Sequence, residues 1–363
     1  MTAADRPVQR PPDAKLLVID AAGRFRHAAR RTLVDFFRAG DLVVANDAAT
    51  LPASLQGLHV ASGKPIEVRL AGWDSRAWHD VARFSAVVFG SGDYHTRTEH
   101  RPLPPPLAPG DRLTFGSLSA TVTNILGHPR LVSLWFEGSA DTIWQRLARH
   151  GRPIQYAHIA APLALWDVWT PTAGTPSAFE PPSAGFALNW QMLADMRLRG
   201  IRFVTITHAA GISSTGDDEL DVRLPLDEPY DISPTTAQAI ASTTAHGGRI
   251  VAIGTTVVRA LEHAAMPEGI VRAGGGVATQ RITAATTIRV VAAILSGIHE
   301  PGTSHYELLR AFTDEAVLRR ADRELSAHGY RTHEFGDSVF IERLMSSIIH
   351  ERREYRIRAR LAL

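Results

Sequence analysis

The sequence predicts an α/β fold: a large mixed α/β domain interrupted by an inserted small β domain, a barrel or a sandwich. Three observations carry this prediction. Apolar strand-like runs alternate with helical segments near the start of the chain, the pattern gives way to short alternating segments broken by Gly, Pro and Asp, and the α/β alternation then resumes. The large domain is expected over residues 1–57 and 131–363, and the insert over 58–130. With 363 residues, 45% apolar and 21% charged, the chain can close a sizeable core and is neither disordered nor fibrous in composition.

Each element follows from local pattern. After a proline-rich arm, KLLVID reads as a short buried strand, RRTLVDFFRAG as a helix ending at Gly40, and DLVVAND as a second strand with a polar end. In the insert, PIEVRLAG, SAVVFG, DRLTF and LSATVTNIL read as strands, with the PLPPPLAPG linker among them. DTIWQRLARHG is a predicted helix, Thr170 to Gly185 an irregular stretch, and Asn189 to about Arg199 another helix. IRFVTIT is a strand ending at His208, and RIVAIGTTVVRALEHAA is a strand, a tight turn and a helix in succession. TSHYELLRAFTDEAVLRRADREL reads as one long amphipathic helix, with Ser304 and Glu307 at capping-box spacing.

Composition excludes several chemistries. There is no cysteine, hence no disulfide, thiolate nucleophile or cysteine-ligated metal. The 39 Lys+Arg nearly balance 37 Asp+Glu, and only Lys15 and Lys64 are lysines, so bulk charge says little about partners. The first thirty residues carry no apolar signal core, and no run approaches the ~18–20 apolar residues of a membrane span, so a cytoplasmic protein is expected. GxxxxGK, GxGxxG after a strand, GxSxG and HExxH are all missing, so phosphate-loop, serine-hydrolase and zinc-protease readings lose most of their support.

Within this frame GGRIVAIGTTVVRALE is the sharpest local signal. A buried strand delivers Gly254, Thr255 and Thr256 to a helix start, where free N–H groups and two hydroxyls can bind an anion, with Arg259 one turn on. The competing reading is that a threonine caps the helix. Asn46 and Asp47 end a strand, where a carboxylate can hold a sugar hydroxyl or face a cation, or an Asx residue can simply open a turn. His299, two residues before Pro301, suits a loop acid or base. His299 and His305 lack a recognised metal spacing and a local third ligand. Asp337, after Gly336, and Glu228, in LPLDEPYDIS, either contact substrate or stabilise turns.

Taken in order, KLLVIDAAGRFRHAA, GDLVVANDAATLPASLQG, SGKPIEVRL, EPPSAGF, FVTITHAAG, DEPYDIS, GGRIVAIGTTVVRALE, ILSGIHEPGTSHYELLRAF and YRTHEFGDSVFIE resemble the S-adenosylmethionine:tRNA ribosyltransferase-isomerase family of queuosine biosynthesis. The resemblance runs from Leu16 to Ile341 and implies the same two-part architecture, a large mixed α/β domain with an inserted small β-barrel-like domain. It also implies an enzyme with S-adenosylmethionine as co-substrate and tRNA as partner, requiring no metal or membrane. Such an enzyme moves the ribosyl unit onto the aminomethyl group of a 7-deazaguanine base, isomerises it to an epoxycyclopentane and releases adenine and methionine. The resemblance makes His299, Asp47, Asp337 and Glu228 catalytic candidates. Asn46, Ser183, Gly185, His208, Gly254, Thr255, Thr256 and Arg259 become candidates for binding the nucleotide. Departures from the family pattern include Ala49 and Ser54 in place of arginines, Ala187 in place of a histidine and Gly302 in place of a lysine. Two alternatives share these residues: a paralogue using S-adenosylmethionine on a small acceptor, and a catalytically weakened RNA- or nucleotide-binding protein.

Overall fold

The computed structural model describes residues 1–6, 13–73, 75 and 77–344; most of the proline-rich arm lies outside the described residues. Nine strands form the main sheet, in the order Gly274–Ala278, Glu228–Ile232, Arg202–His208, Leu42–Asn46, Ile250–Ile253, Ala293–Gly297, Ser338–Glu342, Lys15–Ile19, Phe25–Ala29. The four strands from Arg202–His208 to Ala293–Gly297 are mutually parallel, so their carboxyl ends emerge along one edge.

Why these segments pair is visible in their side chains. Leu42–Asn46 and Ile250–Ile253 are buried throughout, as expected of parallel strands covered on both faces. Successive residues point to opposite faces: Leu42, Val44, Ala252 and Ile294 join one core, Val43, Ala45, Val251 and Leu295 the other. Helices Pro234–Ala245, Thr255–Ala264 and Glu315–Ala327 cover the first face, and Trp190–Leu198 covers the second through Met192 and Met196.

The insert is a closed barrel of six antiparallel strands: Ser54–His59, Lys64–Gly72, Arg83–Phe89, Leu131–Phe136, Leu118–His128 and Arg112–Phe115, the last returning to the first. Gly151–Arg152 pairs with Leu55 and Ser54 at the start of the first strand, so the barrel sheet reaches beyond residues 58–130 on both sides. Its interior is filled by Leu55, Val68, Phe84, Val88, Phe115, Val122 and Phe136, with Ile143 and Leu147 of the Ala140–His150 helix packed against them. A separate two-stranded sheet pairs Ala48–Thr50 in parallel with Thr175–Ala178, the latter inside the stretch expected to be irregular.

Two helix expectations are corrected. Residues Arg30–Phe36 form a 3-10 helix, not an α-helix. Thr32, Val34, Phe36 and Phe37 lose side-chain freedom in an α-helix, and no side chain caps this one. The long helix after Thr303 is two helices, Ser304–Leu309 and Glu315–Ala327. Between them Ala311 and Phe312 donate to carbonyls three residues back, a tighter turn that drives Phe312 into the core. Ser304 is not the cap either: Thr303 Oγ1 accepts the Tyr306 N–H at 3.3 Å, and Ser304 opens the helix. Among the described residues no helix is long and apolar enough to cross a membrane.

Candidate active site

A cleft of about 330 Å³ lies at the carboxyl edge of the parallel strands, the position where open α/β sheets bind ligands. Its floor is the turn after Ile253. Gly254 has φ +100°, a region other residues rarely adopt, and a Cβ there would sit 3.4 Å from Ala184 Cβ. The strand can therefore pass directly into the Thr255–Ala264 helix. Gly254 occupies the N-cap position and no side chain caps the helix, so neither threonine acts as the cap. Thr256 Oγ1 instead accepts from Asn46 Nδ2 at 3.3 Å.

One wall is electrostatic. Glu228 is buried and accepts the Gly211 N–H at 2.6 Å on one oxygen and an Arg259 Nη1–H on the other. Burial pushes its carboxyl up from the ordinary range, with Arg259 and the Gly211 N–H opposing the shift. The rest of the Arg259 guanidinium donates to the carbonyls of Gln280, Leu226 and Ala278, which ties the helix to the sheet edge. His208 is buried behind this pair, with Nε2 3.4 Å from Glu228 Oε2.

The opposite wall carries His299 and His305, their rings stacked at 4.4 Å and 11°. Burial, helped by His305 and His333, holds His299 well below the ordinary imidazole value and hence neutral. His305 is lowered by burial as well. Ser296 Oγ is buried at this wall with no hydrogen-bond partner among the described residues, a polar atom a ligand can satisfy.

Glu180 completes the cleft. Burial pushes its carboxyl up to about 7, although hydrogen bonds from Ser213 and Tyr156 oppose the shift. Tyr156 Oη donates to Glu180 Oε1 at 2.5 Å, and the phenol is itself raised well above its ordinary value by burial. Sequence reasoning did not single out Glu180. The available signal was its place at the head of EPPSAGF, where two prolines restrict the backbone just after it.

Ser183, Glu228, Gly254, Thr255, Thr256, Arg259 and His299 thus meet at one cleft. Four other sequence candidates support it from outside the lining. Asn46 joins three elements, donating to the His208 carbonyl at 2.9 Å and accepting from the N–H groups of Ala48 and His208. Asp47 accepts from the hydroxyls of Thr205 and Thr207, both at 2.7 Å. His208 backs Glu228, and Gly185 allows Thr170 to pack where a Cβ would approach within 2.9 Å.

Asp337 is buried away from the cleft and accepts the N–H groups of Lys15 and Arg331 at 2.7 and 2.8 Å. Asp337→Ala leaves both donors without a charged acceptor and should cost about 3 kcal/mol in urea unfolding, with ligand affinity unchanged in the folded fraction. An unchanged unfolding midpoint together with lost affinity would place Asp337 in the site after all.

With the geometry established, comparison with known proteins is direct. Residues 1–341 match the family described as queuosine biosynthesis protein. The S-adenosylmethionine:tRNA ribosyltransferase-isomerase of Anaeromyxobacter sp. (strain K) is 32% identical over 92% of this chain and 94% of its own. The protein of that name from Ralstonia nicotianae is also 32% identical, over 86% of this chain and 83% of its own. A crystal structure of S-adenosylmethionine tRNA ribosyltransferase from Thermotoga maritima is 21% identical, with a TM-score of 0.49 over 93% of this chain and 95% of that one. Matched along nearly its whole length, and at this level of identity to full-length relatives, the chain belongs to the queuosine biosynthesis protein family.

Proposed function

We propose that the chain is an S-adenosylmethionine:tRNA ribosyltransferase-isomerase. It transfers and isomerises the ribosyl unit of S-adenosylmethionine onto the aminomethyl group of a 7-deazaguanine base in tRNA, with release of adenine and methionine. The observation that carries this reading is the cleft itself. A helix start with two threonine hydroxyls faces a carboxyl near neutral pKa and a neutral histidine, in a space of the size that holds a nucleotide.

The chemistry draws on the cationic sulfur, which acidifies the adjacent ribose carbon and makes methionine a good leaving group. Glu180 takes that proton and returns it to the departing adenine, since a carboxyl near 7 is matched to both transfers at neutral pH. Its Tyr156 partner fixes the carboxylate's orientation. His299, neutral through burial, has a lone pair to take the proton that the amine nitrogen loses as it bonds to the ribosyl carbon. Gly254, Thr255 and Thr256 offer N–H and hydroxyl groups to the methionine carboxylate or a phosphate. Glu228, already paired with Arg259, sets the field of the wall and serves as a fixed acceptor.

Ala49 and Ser54 are both buried, Ser54 donating to Glu67 at 2.8 Å, so these positions serve the junction with the barrel and do not reach toward a polynucleotide. The deciding experiment incubates the chain with S-adenosylmethionine and tRNA bearing the aminomethyl-deazaguanine, followed by nucleoside mass spectrometry. The epoxide product and free adenine are expected, and their absence beside an active relative would overturn the proposal. His299→Ala should abolish turnover while S-adenosylmethionine still binds by calorimetry. Turnover at the wild-type rate would remove His299 from the chemistry.

A further inference from the structure

Beside the cleft, three side chains converge that the proposed chemistry leaves unused. His158 lies in the segment after the barrel, and His333 and Glu334 lie in the turn before the Ser338–Glu342 strand. His158 Nε2 is 3.3 Å from Glu334 Oε2, and the two imidazoles stack at 4.5 Å and 21°. One ligand-capable atom from each of the three lies within 4.8 Å of the others. All three are half-buried.

We propose that His158, His333 and Glu334 bind one divalent transition-metal ion of the zinc or cobalt class. Two imidazoles and one carboxylate favour such an ion over magnesium or calcium, which prefer all-oxygen sites. Three protein ligands leave a fourth position for water. Metal–ligand bonds of about 2.0–2.1 Å place tetrahedral donors roughly 3.4 Å apart, so donors as far as 4.8 Å apart must close by about 1.4 Å and the two stacked rings must turn until a nitrogen of each faces the ion.

Two further features bear on this assignment. His333 has φ +69°, the one positive value among described non-glycine residues, and that backbone lays its ring over His158. A conformation disfavoured on its own is retained where the surroundings use it. The turn is also shielded on one side by the cluster of Ile159, Leu163, Val168, Phe186 and Phe335, an apolar wall that strengthens metal–ligand interactions by limiting water. The three residues are separate from the groups given a step in the ribosyl transfer, although His333 acts electrostatically on His299 and Glu334 on Glu180; metal binding is read by its own absorption, so the two proposals fail separately.

The test titrates Co²⁺ into the purified full-length chain, because its visible absorption is intense in four-coordinate sites and weak in the hexa-aqua ion. One equivalent with intense bands is expected, displaced by Zn²⁺. His158→Ala and Glu334→Gln should each remove the bands or weaken binding at least roughly tenfold. His333→Asn, which tolerates the left-handed backbone, should do the same while preserving the thermal unfolding curve without metal.

A second trio, His27, Glu324 and His328, has both its histidines exposed and so lacks the shielding of the first. A His27→Ala/His328→Ala variant should therefore keep the bands. Bands that survive His158→Ala or His333→Asn, bands that vanish only in the His27→Ala/His328→Ala variant, or no intense bands in the wild type would each overturn the site.

Discussion

Glu180→Gln should lower kcat by about 10²–10⁴-fold and abolish the pH dependence it sets. As the proton acceptor with a pKa of about 7, Glu180 makes kcat/KM of the wild type rise through neutrality and level off above it. The glutamine keeps the shape and the Tyr156 contact but cannot take a proton, so the residual rate should be flat across that range. A variant that keeps the wild-type rate and its acid limb would assign the proton transfer to another group.

Stability should move in the opposite direction. The folded carboxyl, at about 7, holds its proton more tightly than the unfolded one, near 4.5. Its contribution is fully present below 4.5 and is lost as pH rises through 7. The difference is worth roughly 3 kcal/mol, and the Gln variant should not show it. The carboxyl proposed as the base therefore adds least to the fold at the pH where it would work.

The largest stability effect is expected at Arg259. Arg259→Met removes the charge opposite Glu228 and leaves three carbonyls without their donor, in a place closed to water. Breaking a buried pair by deleting one partner costs about 3–5 kcal/mol. Glu228 should take up a proton in this variant, so the loss should be larger at pH 8 than at pH 5. Adding Glu228→Leu should recover part of the stability but not activity, because an uncharged wall no longer holds an unpaired ion. Urea unfolding of both variants against wild type checks this, and an Arg259→Met protein as stable as wild type would show that water reaches the wall. The arginine was singled out from sequence as a ligand contact. In the structure it lines the cleft while its N–H groups bind the protein itself.

That difference shows what sequence does and does not disclose. The uninterrupted apolar runs at Leu42–Ala45 and Ile250–Ile253 predict central strands because burial on both faces leaves no polar alternation. The strands of the insert were legible for the converse reason: Phe84, Ala86 and Val88 point inward at every second position, a pattern that a barrel and a sandwich share. The glycine-threonine turn was legible because strand, turn and helix follow without a gap.

Direction was harder to read. Asn46, Asp47 and Glu180 are all polar residues at element ends, and only contacts across the fold decide which faces the cleft. Asp47 is turned away by two threonines on the neighbouring strand, more than 150 positions along the chain. Glu180 is drawn into the cleft region by a tyrosine 24 residues earlier. The break after Leu309 escaped for a similar reason, since an apolar face continues through Phe312 while the backbone tightens beneath it.

The pairing of Gly151 with Leu55 has a kinetic consequence. Asn46 must find a strand whose end, His208, is 162 residues away, a long loop to close before any sheet contact rewards it. The hairpins between them need only near neighbours. Once they have formed and residue 151 rests beside residue 55, most of that loop is already spanned. The insert thereby acts as a splice during folding, shortening the search that the parallel strands would otherwise make.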